Sequence, residues 1–174
     1  PLPDLAAEYR SLRSEIDAAV ARVIDRTAFI GGEEVSRFEQ EFATFVGAGF
    51  ATAVSSCTTG LHLALLGVGV APGDDVVTVS HSYIATANTI RYCGATPIFV
   101  DVEPITHNMD PAAVEAAITP ATKAILVVHQ VGMPCDLDRL EMTNDPNGHA
   151  AGDVALRRVA SALVRSAAAF PGAF

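Results

Sequence analysis

Apolar residues recur through the first 26 positions at Leu5, Leu12, Ile16, Ala19, Val20 and Val23 with charged residues between them, a spacing that predicts an amphipathic helix lying on a surface. Phe29, Ile30, Gly31 and Gly32 interrupt it. The helical period resumes through Val35, Phe38, Phe42 and Phe45, and Gly47 and Gly49 end it with residues that tolerate positive φ. From residue 50 the apolar runs become short and β-branched, and 51–55, 76–79, 97–102 and 123–129 read as strands. Between them, Leu61, Ala64 and Leu65 share one helical face and residues 84–92 fit a helix. Asp110 and Pro111 open another, because a proline at the first helical position gives up only an N–H that has no intrahelical partner.

Strands that are apolar on both faces and alternate with helices belong in a parallel sheet covered on both sides. The expected fold class is therefore α/β, with a mostly parallel central sheet and helices on both faces. Ligands in such sheets collect outside the carboxyl ends of the strands, here after Val54, Val79, Val100 and Val128. Past residue 140 the character changes. A dense turn signal over 142–148 leads into an Ala-, Val- and Arg-rich helical pattern over 151–169, so the chain divides into residues 1–140 and a tail, 141–174.

Composition narrows the function classes. Asp and Glu total 20 against 11 for Lys and Arg, and a net charge of -9 argues against a nucleic-acid backbone or an anionic membrane as partner. No basic segment followed by an apolar run opens the sequence and no apolar stretch is long enough to span a bilayer, which predicts a cytoplasmic protein. Cys57, Cys93 and Cys135 lack the spacing of metal or redox motifs, so no metal site is expected. Lys123 is the only lysine.

The stretch from Val54 to Leu65 carries the candidate chemistry. Ser55, Ser56 and Thr58 are residue types that begin helices, and the spare first-turn amides, with the positive end of the helix dipole, attract phosphate. Two readings fit these residues: an ordinary capped turn, or an anion seat. A thiol at a helix start can also act as a nucleophile, with His62, His81 or His129 as its base.

Several ordered stretches together resemble the N-terminal part of the DegT/DnrJ/StrS-type sugar aminotransferases, which use pyridoxal 5'-phosphate on the fold-type-I aspartate aminotransferase scaffold. They include Asp4 and Leu5 with Tyr9 and Arg10; Phe29 to Gly32 with Glu34 and Val35; Phe38 to Ala43; Ser55 to Leu65; Pro72 to Val76; Tyr83 to Asn88; Gly94 to Pro97; Phe99 to Val102; and Val128 and His129 with Gly132, Pro134 and Asp136. The likeness covers roughly residues 1–140, and it implies the N-terminal part of the large domain of that fold. It implies that backbone amides of Cys57 and Thr58 hold the cofactor phosphate and that Tyr83 stacks on the pyridine ring. It further implies a nucleotide-linked keto sugar as substrate, an amino acid as amino donor, and a homodimer.

The resemblance stops short of the catalytic half. The family continues with a strand whose aspartate pairs with the pyridine nitrogen and a segment whose lysine forms the Schiff base, and residues 141–174 match neither. Lys123 corresponds to a lysine that enters a strand at the end away from the cofactor. The chain is therefore expected to be truncated before the catalytic lysine, to contain no catalytic residue, and to hold pyridoxal phosphate weakly and without transamination. A catalytically inactive remnant or interaction module of the same fold is the alternative. A dinucleotide-binding domain is disfavoured, because no G-x-G-x-x-G follows a strand.

Overall fold

The computed structural model describes residues 4–136. They fall into two units divided between Ala53 and Val54, each taken here by itself. The first unit is helical. Helix α1, Leu5–Asp25, starts where the Asp4 carboxylate accepts from Ala7 N at 2.9 Å, and α2, Glu33–Val46, ends at Gly47 in the left-handed region at φ 67°. Ion pairs from Arg22 to Glu34 (3.2 Å) and from Arg26 to Glu33 (2.6 Å) join the two helices, and Phe38 stacks on Phe42. The pairs are exposed, and pairs of that kind contribute little stability. Along its 21 residues α1 buries none, and Leu5, Leu12, Ile16, Val20 and Ile24 stand exposed.

The second unit runs α3 (Cys57–Gly67), β1 (Asp75–Val79), α4 (Ala85–Tyr92), β2 (Thr96–Val100), α5 (Pro111–Ala117) and β3 (Thr122–Ile125), then a short 3-10 turn at Gln130–Gly132. The three strands are parallel in the order β2-β1-β3, with Val77 opposite both Ile98 and Ile125. β1 lies in the centre, which explains its β-branched run from Val76 to Val79, since successive side chains point to opposite faces and both faces are covered. Val76 packs on one side with Leu65 of α3, Ile90 of α4, Ala95, Ala124 and Leu126. Val77 and Val79 pack on the other with Val114 of α5, Met109 and Cys135. Pro97 falls on β2, at one end of the strand order, where a missing ladder donor costs least.

The α/β class and the parallel sheet expected from the sequence are present. The strand expected at 51–55 is not: residues 51–54 have no regular structure, and Phe50 is 95% exposed. A short β-branched run becomes a strand only where a neighbour takes its backbone groups. Here the Ala53 N–H is taken instead by the Glu39 carboxylate at 2.8 Å. The other strands shift by a residue or several at their ends. β3 closes at Ile125, although Leu126 N still donates to Val77 O at 2.8 Å and the buried Thr78 hydroxyl donates to Leu126 O at 2.8 Å. The expected tail helix at 151–169 lies outside the described residues. Among the described residues no helix is long and apolar enough to cross a membrane.

Candidate functional site

A parallel sheet fixes where its connecting segments emerge. α4 leaves the carboxyl end of β1 and runs back toward the amino end of β2, so its first residues lie on the carboxyl edge. α3 runs the same way, because the chain leaves it through Gly69 and Val70 to enter β1 at Asp75, and Gly69 sits against the side chain of Lys123 near the start of β3. The start of α3 and the loop before α4 therefore share the carboxyl edge, where ligands of open α/β sheets bind.

At the start of α3, Ser56 is extended (φ -163°, ψ 160°) and its hydroxyl accepts from Thr59 N at 3.2 Å, while its carbonyl accepts from Gly60 N at 3.0 Å. Hydroxyl contacts from Ser55 and Ser56 to Thr59 Oγ1 reinforce the cap. This leaves Cys57 N and Thr58 N, the first two helical amides, with no intrahelical acceptor. Cys57 is exposed and Thr58 half-buried. Such a pair of amides at the positive end of an 11-residue helix is suited to a phosphate.

Tyr83 lies in the loop between β1 and α4 and is 78% exposed, so its ring offers an open face. The loop is held from behind: Tyr83 O accepts from Thr86 N at 3.0 Å, and the hydroxyls of Ser82 and Thr86 meet at 2.5 Å. The three residues singled out from the sequence, Cys57, Thr58 and Tyr83, thus lie on one sheet edge. Lys123 lies at the other end of α3, and a helix of 11 residues spans about 16 Å.

The histidines are engaged away from Cys57. His62 sits edge-on to Tyr92 at 5.8 Å, His81 meets the Gln130 side chain at 3.3 Å, and His129 Nδ1 accepts from Cys135 N at 3.0 Å. None of these contacts makes a thiol–imidazole pair with Cys57. Asp101 turns its carboxylate to Val102 N at 2.8 Å and so shapes the turn after β2. Among the described residues no group of three or more His, Cys, Asp or Glu could hold a metal ion.

His129 is half-buried, and burial pushes its pKa below the ordinary value. Above pH 6.5, the usual histidine value, it is neutral whether folded or unfolded and contributes no pH dependence. As the pH falls below that value the unfolded chain takes up a proton that the folded chain resists, and stability declines. Protonation would also remove the acceptor for Cys135 N. Chemical denaturation between pH 7.5 and 5.5 should show this loss, and His129→Gln should flatten it; an equal slope in both chains would refute the assignment.

Sequence reasoning missed Asn108. It is 4% exposed, accepts from Gln130 N at 3.1 Å and donates to Met133 O and Pro134 O at 3.2 and 3.0 Å. A lone asparagine before Met109 and Asp110 gives no local sign of partners more than twenty residues away.

Residues 10–148 match the DegT/DnrJ/EryC1/StrS aminotransferase family. The chain belongs to this family. Among relatives, it is 44% identical over 148 residues to the dTDP-3-amino-3,4,6-trideoxy-alpha-D-glucose transaminase of Streptomyces venezuelae, an alignment covering 85% of this chain and 39% of that protein. The solved structure of S. venezuelae DesV in complex with a ketimine intermediate superposes with a TM-score of 0.79 at 44% identity, over 83% of this chain and 39% of that one. A putative sugar aminotransferase of Streptococcus pneumoniae, in its PLP form, gives a TM-score of 0.67 at 33% identity, over 73% and 33% of the two chains. The chain thus spans about 39% of the length of the S. venezuelae transaminase. Within the DegT/DnrJ/EryC1/StrS family pyridoxal phosphate is the cofactor to test against these residues, and the free amides of Cys57 and Thr58 with the open ring of Tyr83 fit its phosphate and its ring.

Proposed function

We propose that this chain supplies the phosphate seat and ring platform of a pyridoxal-phosphate-dependent aminotransferase acting on a nucleotide-linked keto sugar, with an amino acid as amino donor. The observation that carries this reading is that the uncommitted helix-start amides of α3 and the exposed ring of Tyr83 lie on the same carboxyl edge. The amides of Cys57 and Thr58 hold the phosphate, the cap by Ser56 keeps them in place, and Tyr83 covers one face of the pyridine ring. The bound cofactor supplies an electron sink for moving an amino group between carbon atoms. The relatives named above support a sugar substrate, and a cytoplasmic, homodimeric enzyme is part of the same reading. Residues 1–140 form its N-terminal portion, and residues 141–174 a tail of separate character.

Lys123 does not serve as the cofactor's lysine in this proposal, so the chain by itself binds pyridoxal phosphate non-covalently and weakly and does not transaminate. Incubation of the purified chain with pyridoxal phosphate, followed by absorbance and fluorescence titration, tests it. Thr58→Pro, which removes one phosphate-facing amide at a position where the helix tolerates proline, should lower affinity about tenfold or more, as should Tyr83→Ala. Lys123→Ala should leave it unchanged. A cofactor band that survives dialysis and disappears in Lys123→Ala would overturn the assignment.

A second reading, an interaction module without catalysis, is favoured by α1, which buries no residue and exposes Leu5, Leu12, Ile16, Val20 and Ile24. Borohydride reduction followed by mass measurement separates the two for any longer form of the protein. Only an enzyme that carries the cofactor on a lysine gains its mass.

A further inference from the structure

Three residues other than glycine have positive φ among the described ones, and two of them, His107 at 58° and Val131 at 44°, flank a single buried clamp. For a β-branched residue this backbone region is costly, and such strain persists only where the surroundings over-determine it. Here they do. Asn108 binds Gln130 N, Met133 O and Pro134 O, while Gly132 N donates to His129 O at 3.2 Å and Met133 N to Gln130 O at 2.8 Å. The loop after β2 and the loop after β3 are thereby locked together on the carboxyl edge.

The product of that lock is a cluster of side chains facing outward. Gln130 Nε2 lies 3.3 Å from His81 Nε2, and the rings of His81 and His107 stand edge to face with centroids 5.9 Å apart. An amide nitrogen only donates, so in this contact Gln130 Nε2 donates and His81 Nε2 accepts. Both imidazoles are exposed, as are Val131 (89%), next in the chain to Gln130, and Ile105 (91%), two residues before His107. The segments that build the cluster, 80–83, 103–109 and 128–135, contain no lysine or arginine, and Glu103 lies next to His107, its carboxylate bonded to the Thr106 hydroxyl at 2.9 Å. An anion would find no fixed cation here. A neutral polyhydroxyl ligand would find alternating donors and acceptors with apolar surface alongside for its C–H faces.

We propose that His81, His107 and Gln130 form a subsite for the hexose hydroxyls of a nucleotide-linked sugar, set in place by Asn108. His81 is two residues from Tyr83, so the subsite adjoins the ring platform. The inference rests on the substrate class proposed above. In it Asn108 is a positioning residue, acting through Gln130 on His81.

The test follows the imidazole nitrogens of the 174-residue chain by NMR during separate titrations with dTDP-glucose, dTDP and pyridoxal phosphate. dTDP-glucose should shift His81 and His107, and dTDP should not. His81→Ala and Gln130→Ala should each weaken dTDP-glucose about tenfold without changing the thermal melt, since one hydrogen bond is at stake at an accessible position. Asn108→Ala should weaken it as much and, in the free chain, move the His81 Nε2 resonance as the Gln130 contact is released, a signature that general destabilisation with an intact His81–Gln130 contact would not give. Equal shifts with dTDP, or unmoved imidazoles with dTDP-glucose, overturn the subsite. Pyridoxal phosphate binding together with unmoved imidazoles refutes the subsite and leaves the cofactor reading intact; the reverse pattern refutes the cofactor reading and leaves the subsite.

Discussion

Gly94→Ala should destabilise the second unit by about 2 to 4 kcal/mol, measured by chemical denaturation. Gly94 follows α4 at φ 76°, where an L side chain is strained, and its amide donates to Arg91 O at 2.9 Å to close the helix. A methyl group at this position would meet the Pro72 ring at 2.8 Å, with the Pro72 Cα at 3.3 Å behind it. The proline cannot swing aside as a long side chain could, because its ring fixes the backbone of the turn that leads into β1. Two costs therefore add: left-handed backbone on a residue with a Cβ, and a contact that one of two chain segments must relieve by moving. Those segments meet at the entrance to the sheet, where Thr96 N donates to Asp74 O at 2.9 Å, so the shift would reach the pairing of β1 with β2. Gly67→Ala is the control, since a methyl group there meets nothing within 4 Å and the position is helical. Equal stabilities for the two variants would refute the steric account.

The contrast between what the sequence disclosed and what it hid follows the range of the interactions. Residues 76–79 announce a central strand, because a β-branched run whose only polar member is Thr78, with no charge on either face, is suited to cover on both sides. The ends of α2 and α5 were readable for a local reason as well: Gly47 and the pair Asp110 and Pro111 set their own backbone. Residues 51–54 misled because they have strand composition without a partner, and composition does not report pairing. The candidate site was legible in the same uneven way. The helix-start chemistry at Ser56, Cys57 and Thr58 is local, whereas Tyr83 was singled out through resemblance to a family and reaches the same edge only through the topology of β1 and α4. Asn108 gave no signal, since the bonds that fix it join segments more than twenty residues apart in the chain.

The carboxyl edge also explains how one chain could bear both the proposed cofactor seat and the proposed sugar subsite without shared residues. Both arise from loops that leave the same sheet, and the sheet holds them rigid because β1 is bonded on both sides and buried on both faces. Loops on such a scaffold can carry strained or uncommitted groups, since the stabilising burial is elsewhere.

Ile90→Ala should remove that burial on one face and cost about 3 to 5 kcal/mol, near the top of the range for large-to-small core changes. Ile90 is 0% exposed and lies among Leu65, Val70, Val76, Cys93, Ala95, Ala124 and Leu126, so α3, α4, β1 and β3 all lean on it. The cavity left by three carbon atoms cannot collapse easily, because Val76 is held in the middle of the sheet and Ala95 is bonded to the end of α4 through its N–H to Ile90 O at 3.3 Å. Ile90→Val, which deletes one carbon, should cost about 1 kcal/mol, and the graded pair separates a cavity from a general loss of helix propensity, since valine is the poorer helix former of the two replacements. Leu63→Ala, on the exposed side of α3 at 50% accessibility, should change stability by less than about 1 kcal/mol. Urea denaturation of the three variants checks the order, and an Ile90→Ala midpoint close to that of Leu63→Ala would show that α4 is not packed on β1 as described.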